Sequence, residues 1–192
     1  MPCLALRVSP AWKPLSKISA VLALTALFIC VLGDSPAQAA CASESSSPSQ
    51  LTRLAARSAV FCLINEQRSA HGLATLTPNQ SLGRAAEKHS RTMNAWNFFG
   101  HTGDGTPVRR AHRSGYMRGA SSWMLGETLA WGRGSSGTPA GVVAAMMASP
   151  IHRDVLLNPS FREIGVGVAM GAPVHERARN AAIYTLDLGV RS

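Results

Sequence analysis

Strand character is confined to the end of this chain, in Glu163–Met170 and Ala181–Val190, and every earlier periodic segment is helical. That order constrains the fold more than any other feature. Helices first and strands last make an α+β domain, because a parallel α/β sheet needs the two to alternate. The first strand run (Glu-Ile-Gly-Val-Gly-Val-Ala-Met) alternates apolar and small residues. The second holds Ile183, Tyr184, Thr185, Leu186 and Leu188, and a polar loop separates the two, which predicts an antiparallel pair.

The helical segments are punctuated by cap residues. Leu51, Leu54, Ser58, Phe61, Asn65 and Arg68 recur at helical spacing, and His71-Gly72 closes that helix. Thr77-Pro78 supplies an N-cap and a first-turn proline for a second helix, Asn79 to Trp96, with Leu82, Ala85, Ala86, His89, Met93 and Trp96 on one stripe. Thr106-Pro107 starts a short third helix that Gly115 ends, and Thr138-Pro139 starts a fourth. Ser149-Pro150 restarts a helix that Asn158-Pro159 stops.

Ahead of these lies a segment with the three parts of an export signal. Arg7, Lys13 and Lys17 precede an apolar run from Ile18 to Leu32, and Ala37-Gln38-Ala39 is a small-x-small cleavage pattern. The run is shorter than the roughly 20 residues that span a bilayer, and no later stretch reaches that length. The expected organisation is a signal peptide over 1–39, a Ser-rich tether over 40–50 and one domain over 51–192, secreted or periplasmic and monomeric. Removing the signal leaves Cys41 and Cys62, an even pair suited to a disulfide in an oxidising compartment. The alternative is a lipoprotein site with Cys41 acylated. The signal holds three of the 19 basic and one of the ten acidic residues, so 16 against nine remain, a net charge of +7. Such a domain favours anionic lipid or cell-envelope polymers. No nucleic-acid motif or basic run with interleaved aromatics occurs.

Three residues are placed for chemistry. His101 lies in the glycine-punctuated loop Phe99–Gly105. Glu127 is a lone acid among apolar and aromatic residues in Trp123–Gly132, and its burial demands a partner, for which a histidine or a metal would serve. His152 is the third residue of a helix, where the dipole favours an uncharged ring with a free lone pair. Together they have the residue types of a two-histidine, one-carboxylate site for zinc or a harder cation such as calcium or magnesium. Ser149, His152 and Glu127 have the types of a nucleophilic triad, but no Gly-x-Ser-x-Gly surrounds the serine and helix capping accounts for it. His89, on the apolar stripe of helix two, reads as a hydrogen-bonded core histidine. His71, His112 and His175 read as surface residues.

These segments resemble the CAP superfamily, whose domain is also called SCP. The resemblance rests on Leu63-Ile64-Asn65-Glu66-Gln67-Arg68, His89-Ser90 with Met93, His101-Thr102, Gly115-Tyr116, Gly126-Glu127 with Ala130-Trp131-Gly132, Ser149-Pro150-Ile151-His152-Arg153 with Leu157-Asn158-Pro159, and Glu163 to Ala169. It implies an α-β-α sandwich with a small antiparallel sheet, and a cleft lined by two histidines and two acids. His101, Glu127 and His152 match three of those positions, while Ser149 stands where the fourth is usually glutamate. Thr128, Met146 and Ile151 also depart from the usual Asn, Trp and Gly. The implied function is a non-enzymatic binding module for a divalent cation or a small ligand, including lipid. The alternative is a metal-assisted hydrolase of peptide, ester or phosphodiester bonds with Glu127 as general base.

Overall fold

The computed structural model describes residues 41–174 and 179–192. The expected signal segment and His175 lie outside the described residues.

Among the described residues, five α-helices and four strands follow one another as α1 (Arg53–Ala70), β1 (Thr77–Pro78), α2 (Gln80–Trp96), α3 (Pro107–Arg113), β2 (Trp123–Arg133), α4 (Pro139–Ala148), α5 (Pro150–Leu156), β3 (Glu163–Met170) and β4 (Ala181–Arg191). The sheet order is β1-β3-β4-β2, with β3 and β2 both antiparallel to β4 and β1 parallel to β3. The α+β class and the antiparallel β3–β4 pair are as the sequence predicts, and two strands are added. Thr77-Pro78 is a strand rather than a helix cap. Asn79 is the cap instead, its Oδ1 accepting from the backbone N–H groups of Ser81 and Leu82. The Glu127 segment, assigned no element from the sequence, is an eleven-residue edge strand.

The side chains divide the molecule into layers. On one face of the sheet, Ile164, Val166, Val168, Tyr184, Leu186 and Leu188 pack with Ala56, Val60 and Ile64 of α1, Val142, Val143 and Met146 of α4, and Leu156 of α5. On the other face, Leu82 and Met93 of α2 and Ala111 of α3 pack with Tyr116, Leu129 and Ile183. This is the α-β-α sandwich. Helix α2 lies directly on β3: a Cβ at Gly165 would stand 2.1 Å from the Leu82 carbonyl carbon, and one at Gly167 would stand 2.1 Å from that of Ala86. The alternating glycines of Glu163–Met170 are there to admit a helix backbone. Two departures from the family pattern meet on the opposite face, where Thr128 Oγ1 donates to Met146 Sδ at 3.7 Å.

Loops are tied by buried polar side chains. Asn65 accepts from the Leu76 N–H at 2.8 Å and donates to its carbonyl at 3.1 Å, holding the chain into β1 as a strand partner would. Arg68, fully buried, donates to the carbonyls of Ala74, Leu156 and Asn158. One guanidinium thereby joins the end of α1 to the end of α5. Burial, and then Arg162, hold its pKa below the ordinary arginine value.

Cys41 and Cys62 form the expected disulfide, with Cα atoms 5.8 Å apart. The Cys41 sulfur is committed to that bond and not free for a lipid thioether. The Ser-rich segment expected as a tether is instead packed on the domain: Cys41 and Pro48 are buried, and the Glu44 carbonyl accepts from the Ala140 N–H at 2.9 Å. Its serines cannot build a core, but the disulfide and one proline suffice to dock it.

Candidate functional site

Edge strand β2 places Glu127 directly opposite Asp187 of β4. Both belong to the face covered by α2 and α3, and that geometry organises the site. The Glu127 side chain is 2% exposed, and both of its oxygens are taken. Oε1 accepts from Nδ1 of His101 at 2.7 Å, and Oε2 accepts from Nη2 of Arg110 at 2.5 Å. The expectation that buried Glu127 needs a histidine or metal partner is met by His101, with a second partner in Arg110.

Arg110 is the hub. Its Nη1 donates to Asp104 Oδ1 at 2.8 Å, to the His101 carbonyl at 2.9 Å and to the Gly105 carbonyl. Asp104 Oδ1 also accepts from Nδ1 of His89 at 2.7 Å, and His89 Nε2 lies 3.1 Å from the Gly100 carbonyl. Burial first, then the neighbouring Arg110, pushes the His89 pKa below the ordinary histidine value. A neutral ring donates only once, and the charge-assisted bond to Asp104 is the shorter. His89 is thus the hydrogen-bonded core histidine that the sequence predicts, and it holds the loop that carries His101.

Asp187 is held the other way. Burial, and next the Glu127 carboxylate, push its pKa well above the ordinary 3.8, with Arg110 opposing. Two facing carboxylates in one dry site cannot both ionise cheaply, so the proton resides on Asp187 while Glu127 carries the charge that pairs with Arg110. Among the described residues, Asp104 Oδ2, Asp187 Oδ1 and Arg110 Nε are buried without a hydrogen-bond partner.

His101 is the outlet of this network, its side chain 51% exposed. With Nδ1–H on Glu127, Nε2 of the neutral ring carries the free lone pair. His152 sits in α5, in the layer on the other face of the sheet. The ligand atoms of His101, Glu127 and His152 do not all lie within 4.8 Å of one another; among the described residues, Cys41, Cys62 and Glu66 form the one group of three that does, and its cysteines are disulfide-bonded. A cation at Glu127 would have to displace the Arg110 guanidinium, so this carboxylate does not fit the role of metal ligand as it stands. Ser149 occupies the N-cap position of α5, but its side chain makes no capping hydrogen bond.

Sequence reasoning missed Arg110, Asp104 and Asp187. Arg110 hides in the basic stretch Arg109-Arg110-Ala111-His112-Arg113, and Asp187 in the run Ala181–Val190, whose other members are apolar, glycine or hydroxylic. The signal that could have found Arg110 is its place three residues after Pro107, on the face of α3 shared with buried Ala111.

The family model for the cysteine-rich secretory protein family, CAP, matches residues 61–181. The protein YkwD from Bacillus subtilis is 36% identical over 107 residues, covering 55% of this chain and 39% of that relative. A crystal structure of an extracellular protein containing an SCP domain, from Bacillus anthracis, aligns with a TM-score of 0.56 at 28% identity over 71% of this chain and 40% of the other. An outer surface protein from Borrelia burgdorferi aligns with a TM-score of 0.60 at 23% identity over 74% of this chain and 97% of that one, a likeness of fold. The matched region spans about two fifths of the first two relatives.

Proposed function

Since the chain belongs to the cysteine-rich secretory protein family, we propose that it acts outside the cytoplasm as a non-enzymatic binding module whose cleft contacts a small ligand through His101. The observation that carries this reading is the His101–Glu127 bond at 2.7 Å. A buried, Arg110-anchored carboxylate orients one half-exposed imidazole and leaves its outer nitrogen for a ligand. Preorganisation of this kind lowers the ordering cost of binding. An extracellular site is supported by the similarity to the extracellular Bacillus anthracis protein, and no helix among the described residues is long and apolar enough to cross a membrane.

A divalent cation is a second reading, favoured by the tautomer that Glu127 imposes, since a carboxylate behind a histidine is the usual support of a metal-bound imidazole. Such a cation would use His101 Nε2 and ligands of its own, since His152 lies in the layer on the other face of the sheet. The hydrolase reading has less support. Glu127 has both oxygens engaged and almost no exposure, which is a poor placement for taking a proton from a cleft water.

Isothermal titration of the full chain with zinc and with dodecanoate tests this. Heat of binding for at least one, abolished in His101→Ala, is the expected result. Silence from both at micromolar concentration, with His101→Ala changing only the melting temperature, would reduce the network to a structural role. Turnover of a peptide, ester or phosphodiester substrate that vanishes in Glu127→Gln would restore the hydrolase.

A further inference from the structure

The outer face of α2 carries charges that work against its own stability. Arg84 and Lys88 stand one turn apart and Arg91 follows three residues later, spacings at which like charges repel. All three are exposed, and among the described residues none has a carboxylate oxygen within 4.0 Å. Arg84 is held in place by the Ser81 hydroxyl at 2.9 Å and the Ser114 carbonyl at 3.0 Å. Together with Arg57 these residues line a groove of about 790 Å³. Its one acidic lining residue, Glu87, is already paired with Arg57 at 3.0 Å, so the groove as a whole is left three charges positive.

The groove has direction and an aromatic end. It follows α2 from Gln80 to Trp96, whose indole is 65% exposed. From Arg84 to Trp96 the helix rises about 18 Å. Basic lining continues beyond it on both sides, past Arg91 to Arg53 and past Lys88 to Arg113. A row of unpaired cations in a trough with a flat ring at one end matches a chain that carries anionic groups at intervals and has a face to stack. A planar bilayer would rest on the rims of such a trough and leave its floor unused.

We propose that this groove binds a linear acidic polysaccharide, with carboxylate, sulfate or phosphate groups on Arg84, Lys88 and Arg91 and a sugar ring against Trp96. The inference rests on the reading of the chain as an extracellular binding module but uses a surface separate from His101. Guanidinium and ammonium groups grip such anions by charge-assisted hydrogen bonds, and the indole offers a large apolar face.

Binding of the full chain to polygalacturonate, measured by titration at 50, 100 and 200 mM salt, tests it. The expected results are an affinity that falls with salt and a loss of at least tenfold in the double variant Lys88→Gln/Arg91→Gln, with a shallower salt dependence. Trp96→Ala should weaken polygalacturonate binding and leave inorganic polyphosphate binding unchanged. The substituted side chains are all exposed, so no variant is expected to melt below wild type, and the double variant, relieved of like-charge repulsion, should melt at the same temperature or slightly higher. No binding at 50 mM salt, wild-type affinity in the double variant, or a preference for phosphatidylglycerol vesicles or single-stranded oligonucleotide over the polysaccharide would overturn the proposal. His101→Ala should keep full polymer affinity. If it alone loses the polymer, the site is the cleft and not the groove, whereas failure of zinc and dodecanoate alone would count only against the cleft.

Discussion

Glu127 and Asp187 face each other across one strand pair and are predicted to answer mutation in opposite ways. Glu127→Gln leaves the buried Arg110 guanidinium without its full counter-charge and should cost about 3 kcal/mol. Asp187→Asn replaces a carboxyl already held in its protonated form with a neutral amide of the same shape, so near pH 8 it should be neutral or stabilising. The sign follows from the raised pKa of Asp187. The native state keeps a proton that the unfolded chain gives up near 3.8, so this carboxyl contributes most at low pH, and its contribution falls as pH rises through the native value. Urea midpoints of wild type and Asp187→Asn at pH 4.5 and pH 8 check this. The variant should gain on wild type as pH rises, and a constant difference would refute the assignment of the proton. That Glu127 needs a partner was readable from its apolar surroundings. That a histidine could serve was readable too, but the second partner was not, because Arg110 looks like one of several surface cations until α3 is folded onto β2.

At the scale of elements, α2 packs backbone to backbone on β3. A methyl group at position 165 or 167 would overlap helix backbone, which cannot yield as a side-chain end can. Gly165→Ala and Gly167→Ala are each expected to cost about 3 kcal/mol, the upper range for overpacking, read as a drop in the chemical-denaturation midpoint. An equal substitution at Gly100, where a Cβ meets nothing within 4 Å, should be nearly silent. The glycines also explain part of what the sequence revealed. Glu163–Met170 reads as a strand because its apolar and small residues alternate, and the alternation is the mark of the helix lying on it. Strand β2 escaped notice because Gly126 and Gly132 interrupt it and its inward and outward residues are both apolar. Thr77-Pro78 imitates a helix start so well that only its pairing with Glu163 and Ile164 tells otherwise.

For the whole molecule, the disulfide closes the N-terminal segment onto α1 with a sequence separation of 21. The loop-closure entropy of that length is worth about 3 kcal/mol. Cys41→Ser/Cys62→Ser should lose about that much, while a cleft dependent on His101 and Glu127 should keep its ligand, since neither residue touches the bridge. Calorimetric melting with and without reductant would give the same comparison in the natural chain. Lys88 and His89 are neighbours on α2: one lines the outer groove, the other bonds the loop that carries His101. Because the α2 backbone rests directly on Gly165 and Gly167 of β3, the helix has little room to roll or slide. A chain lying in the trough and a ligand at the imidazole would therefore be gripped at a fixed offset, like two jaws machined from one bar.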